Sequence, residues 1–230
     1  MTVKTLIRIT PWKKNLLVMK KLLITCLVFS TIAPSLLSAA PALLSDLIDG
    51  SFSYQSGNKT FSNFTYTASS EMPPASEITV DAIPNGIRFL GDFQDSFGGA
   101  TADSLFTFDV DFGGDLVTRA ILEADLSVVG SSGIASITET FLPTQPDRSM
   151  TIFDFGSGGA VLIDTVDFDP PVASLNIQKD LILSASSADT TVGMTFFDQT
   201  FIVPEPEFGL IFAIGAIAIV LAFRRIQRKA

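Results

Sequence analysis

Ten short runs of alternating or β-branched residues, closed off by Gly, Pro, Ser and Asp, fill the chain between Phe61 and Phe201. They fall at 61–67, 77–83, 87–93, 104–112, 118–129, 134–141, 151–155, 160–166, 173–185 and 191–201. Side chains of a strand alternate between its two faces, so a period of two marks strands with one buried side. In 104–112 the residues Phe106, Phe108, Val110 and Phe112 share one face, with Thr107, Asp109 and Asp111 on the other. In 118–129 Ile121, Glu123 and Asp125 alternate in the same way with Leu122, Ala124 and Leu126. The single helical candidate is short, 42–48, and no useful 3.6-residue period appears elsewhere in the body. The spacing predicts an all-β fold, an antiparallel sandwich of jelly-roll or Greek-key type. Phe, with 20 residues against two Tyr and one Trp, is expected to dominate its core.

Charge divides the chain into three regions. The formal net charge is -9 and the mean hydropathy +0.43, a combination that a uniform soluble domain does not explain. Residues 1–40 hold six bases and no acid, and residues 208–230 hold four bases and no acid. All 24 acids lie between, with only Lys59, Arg88, Arg119, Arg148 and Lys179 against them, so the middle carries -19. The chain is therefore read as an N-terminal targeting region at 1–42, an acidic body at 43–202 and a C-terminal signal at 203–230.

The N-terminal region has a cationic start at Met19-Lys20-Lys21, an apolar stretch over 22–37, and the small residues Ser38-Ala39-Ala40-Pro41-Ala42. This is the layout of a secretory signal peptide, with Met19 as the expected start and signal peptidase cutting after Ala40 or, alternatively, after Ala42. At the other end, 208–223 is uninterrupted apolar sequence closed by Arg224-Arg225. As a transmembrane helix its sixteen residues rise about 24 Å, short of a hydrocarbon core of roughly 30 Å unless the flanking residues snorkel. The basic side stays in the cytoplasm and the acidic body lies outside, in agreement with the signal peptide.

Directly before that span stands Val203-Pro204-Glu205-Pro206. Pro-Glu-Pro, a short apolar helix and an Arg cluster together resemble the PEP-CTERM sorting signal of Gram-negative bacteria. The resemblance implies that a membrane protease, exosortase, removes the tail and that the body reaches the cell surface or the extracellular space. Such proteins commonly occur in bacteria that make exopolysaccharide. Residue by residue, Pro204, Glu205 and Pro206 are the recognition motif, 208–223 the span, and Arg224 and Arg225 the stop signal. Two prolines forbid helix here and hold the segment extended, as a protease cleft requires. The body also resembles secreted PEP-CTERM proteins of unknown activity, through Phe61-Ser62-Asn63-Phe64, Ser136-Ile137-Thr138-Glu139-Thr140, Pro170 to Leu175 with Lys179-Asp180, and Phe197 to Phe201.

Composition excludes several chemistries. Without histidine there is no Ser-His-Asp or Cys-His nucleophile and no His-ligated zinc, and one cysteine, Cys26, forms no intrachain disulfide. No cofactor is expected apart from calcium, for which Asp109, Asp111 and Asp115 are the candidate ligands, alternating acids around a Gly113-Gly114 turn rather than an EF-hand pattern. Asp164, Asp167 and Asp169 form a second acidic group. The acidic body argues against nucleic acid as a partner. The leading expectation is a non-enzymatic surface or matrix protein with a structural or adhesive role in exopolysaccharide. The alternatives are a calcium-dependent carbohydrate-binding module and a carboxylate glycosidase working through an acid pair.

Overall fold

Alternation of apolar and polar residues does what it must here: it builds sheets with one dry face each, and two such faces close on one another. The structure is a computed structural model and describes residues 39–49, 52–142 and 145–204. A two-residue strand β1 (Ala42–Leu43) leads into helix α1 (Leu44–Asp49), then β2 (Tyr54–Ser56), β3 (Lys59–Ala68), β4 (Thr79–Ile83), β5 (Gly86–Ser96) and β6 (Ala102–Asp111). There follow β7 (Val117–Ala124), β8 (Ser127–Val129), β9 (Gly133–Leu142), β10 (Gln145–Asp154), β11 (Ala160–Val161), β12 (Ile163–Val172), β13 (Ser174–Ala185) and β14 (Thr191–Ile202).

These strands form two antiparallel seven-stranded sheets. The first runs β1-β4-β5-β14-β7-β12, with β8 also pairing β14, and the second runs β11-β10-β9-β13-β6-β3-β2. The last two strands of the body, β13 and β14, thus sit in the middle of opposite sheets. The expected all-β sandwich is what the chain forms.

Burial follows the expected faces. Phe106, Phe108, Val110 and Phe112 are buried while Asp111 is exposed, and Leu122, Ala124 and Leu126 are buried while Glu123 is exposed. Aromatic rings from both sheets meet in the core. Phe89 stacks on Phe197 at 4.6 Å between centroids and meets Phe106 edge-on at 5.4 Å and Phe108 at 5.7 Å. Offset and edge contacts of this kind add to the area each ring removes from water.

The sequence boundaries shift where hydrogen bonding overrides local pattern. Ala42 and Leu43 pair with Val80 and Thr79 as strand, so the helix begins at Leu44 rather than Ala42. The run 118–129 divides into β7 and β8 because Asp125 accepts from the backbone N–H groups of Thr195 at 2.8 Å and Phe196 at 2.9 Å, beside the register shift in β14. The run 160–166 breaks at Leu162 and then continues through Pro170-Pro171 to Val172. Proline is tolerated there because β12 is an edge strand and its pairing shifts between Asp167 and Val172. Strand β2, too short to show a period, has no counterpart among the expected runs.

Many of the body's acids serve as backbone acceptors. Asp95 accepts from Ala185 N, and Asp154 accepts from Val128 N and Gly156 N. Asp198 takes a two-pronged bond from Arg88, at 2.6 and 2.7 Å, and the guanidinium lies 4.3 Å from the centre of the Phe196 ring. A large negative charge is thus spent partly on satisfying turn and strand-end N–H groups. Among phenols, burial pushes Tyr66 up to about 12, while its hydroxyl donates to Pro73 O at 2.8 Å.

Candidate functional site

Two places concentrate polar chemistry: a depression on the outer side of the second sheet and a buried polar triad inside the sandwich. At the edge of the depression β3 changes register between Ser62 and Thr65, with Asn63 in the left-handed region at φ 55°. Asparagine is among the few side chains that accept this conformation readily. Its Nδ2 donates to Asp109 Oδ2 at 2.6 Å, and Asn176 Nδ2 donates to Asp109 Oδ1, also at 2.6 Å. Asp109, Asp111, Ser62, Ser174, Asn176 and Leu142 line a cavity of about 340 Å³ here.

Each acid of the first candidate group has its own partner. Asp109 is held by the two amides, Asp111 accepts from Gly113 N at 2.7 Å, and Asp115 accepts from Asn58 Nδ2 at 2.6 Å. Asp109 and Asp111 share the depression, and Asp115 does not line it. Among the described residues no three His, Cys, Asp or Glu side chains come together in a way that would hold a metal ion. The second acidic group is also dispersed: Asp164 accepts from Thr151 N at 2.9 Å, while exposed Asp167 pairs with Arg119.

The triad comes from alternation applied to the wrong residue types. Along β13 the inward positions are Leu175, Ile177, Lys179, Leu181 and Leu183, and along β9 they are Ala135, Ile137, Glu139 and Phe141. Lys179 and Glu139 are register partners, so their side chains enter the core side by side. Gln199 arrives from β14 on the opposite sheet. All three are fully buried. Lys179 Nζ donates to Glu139 Oε2 and, at 2.5 Å, to Gln199 Oε1. Gln199 Nε2 donates to Ile121 O at 3.3 Å. The Phe197 ring centre lies 5.8 Å from Nζ, and Glu139 Oε1 finds no hydrogen-bond partner among the described residues. Burial lowers the Lys179 amine and raises the Glu139 carboxyl, and their mutual attraction offsets only part of either shift. Desolvation therefore works against the charged form of both groups. Glu139, Lys179 and Gln199 were not among the expected site residues. Their signal was available, since each occupies an inward position in a strand whose other inward residues are apolar.

The expected processing residues lie at the edges of the body. Ala40 is exposed, and Ala42 forms half of β1, so cutting after Ala40 keeps that strand whole and cutting after Ala42 removes one of its two residues. Pro204 follows β14 and is exposed. The signal peptide through Ser38, Glu205, Pro206, the span 208–223, Arg224 and Arg225 lie outside the described residues. Among the described residues no helix is long and apolar enough to cross a membrane.

No protein-family model matches the chain, and no curated protein matches it. Among solved structures, TmCBM61 in complex with beta-1,4-galactotriose is similar at 10% identity and a TM-score of 0.33, over 61% of this chain and 90% of that one. A family 29 carbohydrate binding module is similar at 12% identity and a TM-score of 0.20, over 62% of this chain and 96% of that one. The enzymatically active domain of tailspike protein 4 from bacteriophage CBA120 is similar at 12% identity and a TM-score of 0.29, over 70% of this chain and 21% of that one. Likenesses this distant carry no argument about ligand or activity.

Proposed function

We propose that the chain is an exported protein of the cell surface or extracellular matrix, sorted by Pro204-Glu205-Pro206, with a structural or adhesive role in exopolysaccharide. Signal peptidase acts at Ala40 or Ala42, the span at 208–223 holds the chain in the membrane for a time, and exosortase then removes the tail. One observation carries this reading: every acid lies between two basic, apolar ends, and the Pro-Glu-Pro motif begins two residues after the last strand closes at Ile202. The folded body therefore ends before the segment a protease must hold extended. Replacing Pro204-Glu205-Pro206 with three alanines is expected to leave the protein in the inner membrane with its tail uncut. Normal surface delivery of that variant would remove the sorting signal from the account.

The adhesive part of the reading is supported by the depression around Asp109, whose carboxylate, amides and hydroxyls are the groups that bind sugar hydroxyls. The body is expected to be retained on native exopolysaccharide. Asp109→Ala, which also releases Asn63 and Asn176, is expected to weaken retention by about tenfold or more, the value of lost hydrogen bonds to a charged group. Equal retention of variant and wild type in an affinity assay would move the adhesive surface elsewhere.

A further inference from the structure

Lys179 and Gln199 stand on the central strands of opposite sheets, 20 residues apart in the chain. The orientation of the Gln199 amide is fixed by its partners. A lysine ammonium or amine brings its hydrogens, so the atom facing Lys179 is the carbonyl oxygen, and the Gln199 Nε2 end is held by a carbonyl that only accepts, Ile121 O. The carbonyl end of the amide, rather than its NH2 group, therefore faces the amine. Attack on a carbonyl carbon proceeds from about 3–3.5 Å, and a nitrogen 2.5 Å from Oε1 needs only a small shift to meet that requirement. Glu139 touches the same nitrogen through Oε2 and keeps Oε1 without a partner among the described residues.

We propose that Lys179 Nζ and Gln199 Cδ join in an intramolecular isopeptide bond, with Glu139 as proton carrier, tying the two sheets together covalently. The amine begins neutral and Glu139 begins as the acid, the states that burial favours. The Nζ lone pair forms a bond to Cδ, and the carbonyl π pair moves onto Oε1. Glu139 gives its proton to Nε2, the Cδ–Nε2 bond breaks with its electron pair on nitrogen, and ammonia leaves as the carbonyl re-forms. The surplus proton on Nζ passes to the Glu139 carboxylate, which ends as it began. One ammonia is lost and no oxidant, metal or other reactant enters. Desolvated lysine is a competent nucleophile, and a dry core protects the product from hydrolysis. The product, a neutral amide beside a neutral acid, leaves no charge in the dry core. This inference stands on the buried geometry alone and is independent of the sorting reading.

The test is a peptide map of the protein purified from the exporting cell. Trypsin is expected not to cut after Lys179, and the fragment holding both Lys179 and Gln199 is expected to be lighter than its sequence by about 17 Da, one ammonia. A second digestion with chymotrypsin is expected to yield a branched peptide carrying both residues. Lys179→Met and Glu139→Gln are each expected to return the fragment to its sequence mass while circular dichroism still reports the sheet. Cutting after Lys179 with Gln199 unmodified overturns the proposal. So does a fragment that holds both residues at its full sequence mass. Full cross-linking in Glu139→Gln overturns the part assigned to the carboxyl. The wild-type map decides by itself whether or not either variant folds.

Discussion

Phe89→Ala is expected to destabilise the sandwich by about 3–5 kcal/mol, the upper range for an aromatic removed from a core. Phe89 is fully buried on β5 and touches rings from both sheets: Phe197 on its own sheet, and Phe64, Phe106 and Phe108 on the other. Truncation removes the ring's transfer free energy and leaves a space that four rigid rings cannot close by rotating. Their packing is mutual, so collapse on one side opens a gap on the other. Denaturant unfolding measures the loss. A change below about 1 kcal/mol would show that the two sheets slide together over the gap and that the aromatic cluster is not the centre of the fold.

Gly86→Ala is expected to cost as much or more, at least about 3 kcal/mol, the top of the usual range for overpacking. A β-carbon at Gly86 would lie 1.8 Å from Gln199 O and 2.8 Å from Thr200 Cα. Both are backbone atoms of the neighbouring strand, and no rotamer change moves them. Gly86 and Thr200 are register partners at the start of the β5–β14 ladder, so the ladder must open there. Displacing β14 at this point also moves Gln199 away from Lys179. Thermal unfolding and the Lys179 peptide map are therefore expected to change together. A variant with wild-type stability and wild-type cross-linking would show that the strands have room the structure does not give them.

Alternation makes most of this fold legible in the sequence itself. Phe106 to Phe112 and Leu122 to Leu126 face inward as their period requires, because a one-residue slip would turn the whole set toward water. What alternation does not reveal is pairing across the chain. Neither the insertion of β13 and β14 into the centres of opposite sheets nor the bulge at Asn63 has a local signature. The break at Asp125 comes from hydrogen bonds to a distant segment, which a local pattern cannot contain. The candidate acids were legible as residues and not as a group: Asp109, Asp111 and Asp115 each turn to a different amide donor. Lys179 and Glu139 show the opposite case. Their inward positions were readable from Ile177, Leu181, Ile137 and Phe141 on either side, while their meeting with Gln199 depends on how the two sheets close.

The account of the chain as an exported, tail-sorted body is tested most directly by the termini of the mature protein. Mass spectrometry of protein recovered from the cell surface or medium is expected to find an N-terminus just after Ala40 or Ala42, a C-terminus near Glu205, and no peptide from 208–225. Surface protein that retains 208–225 intact would contradict the sorting reading and leave a permanently anchored sandwich in its place.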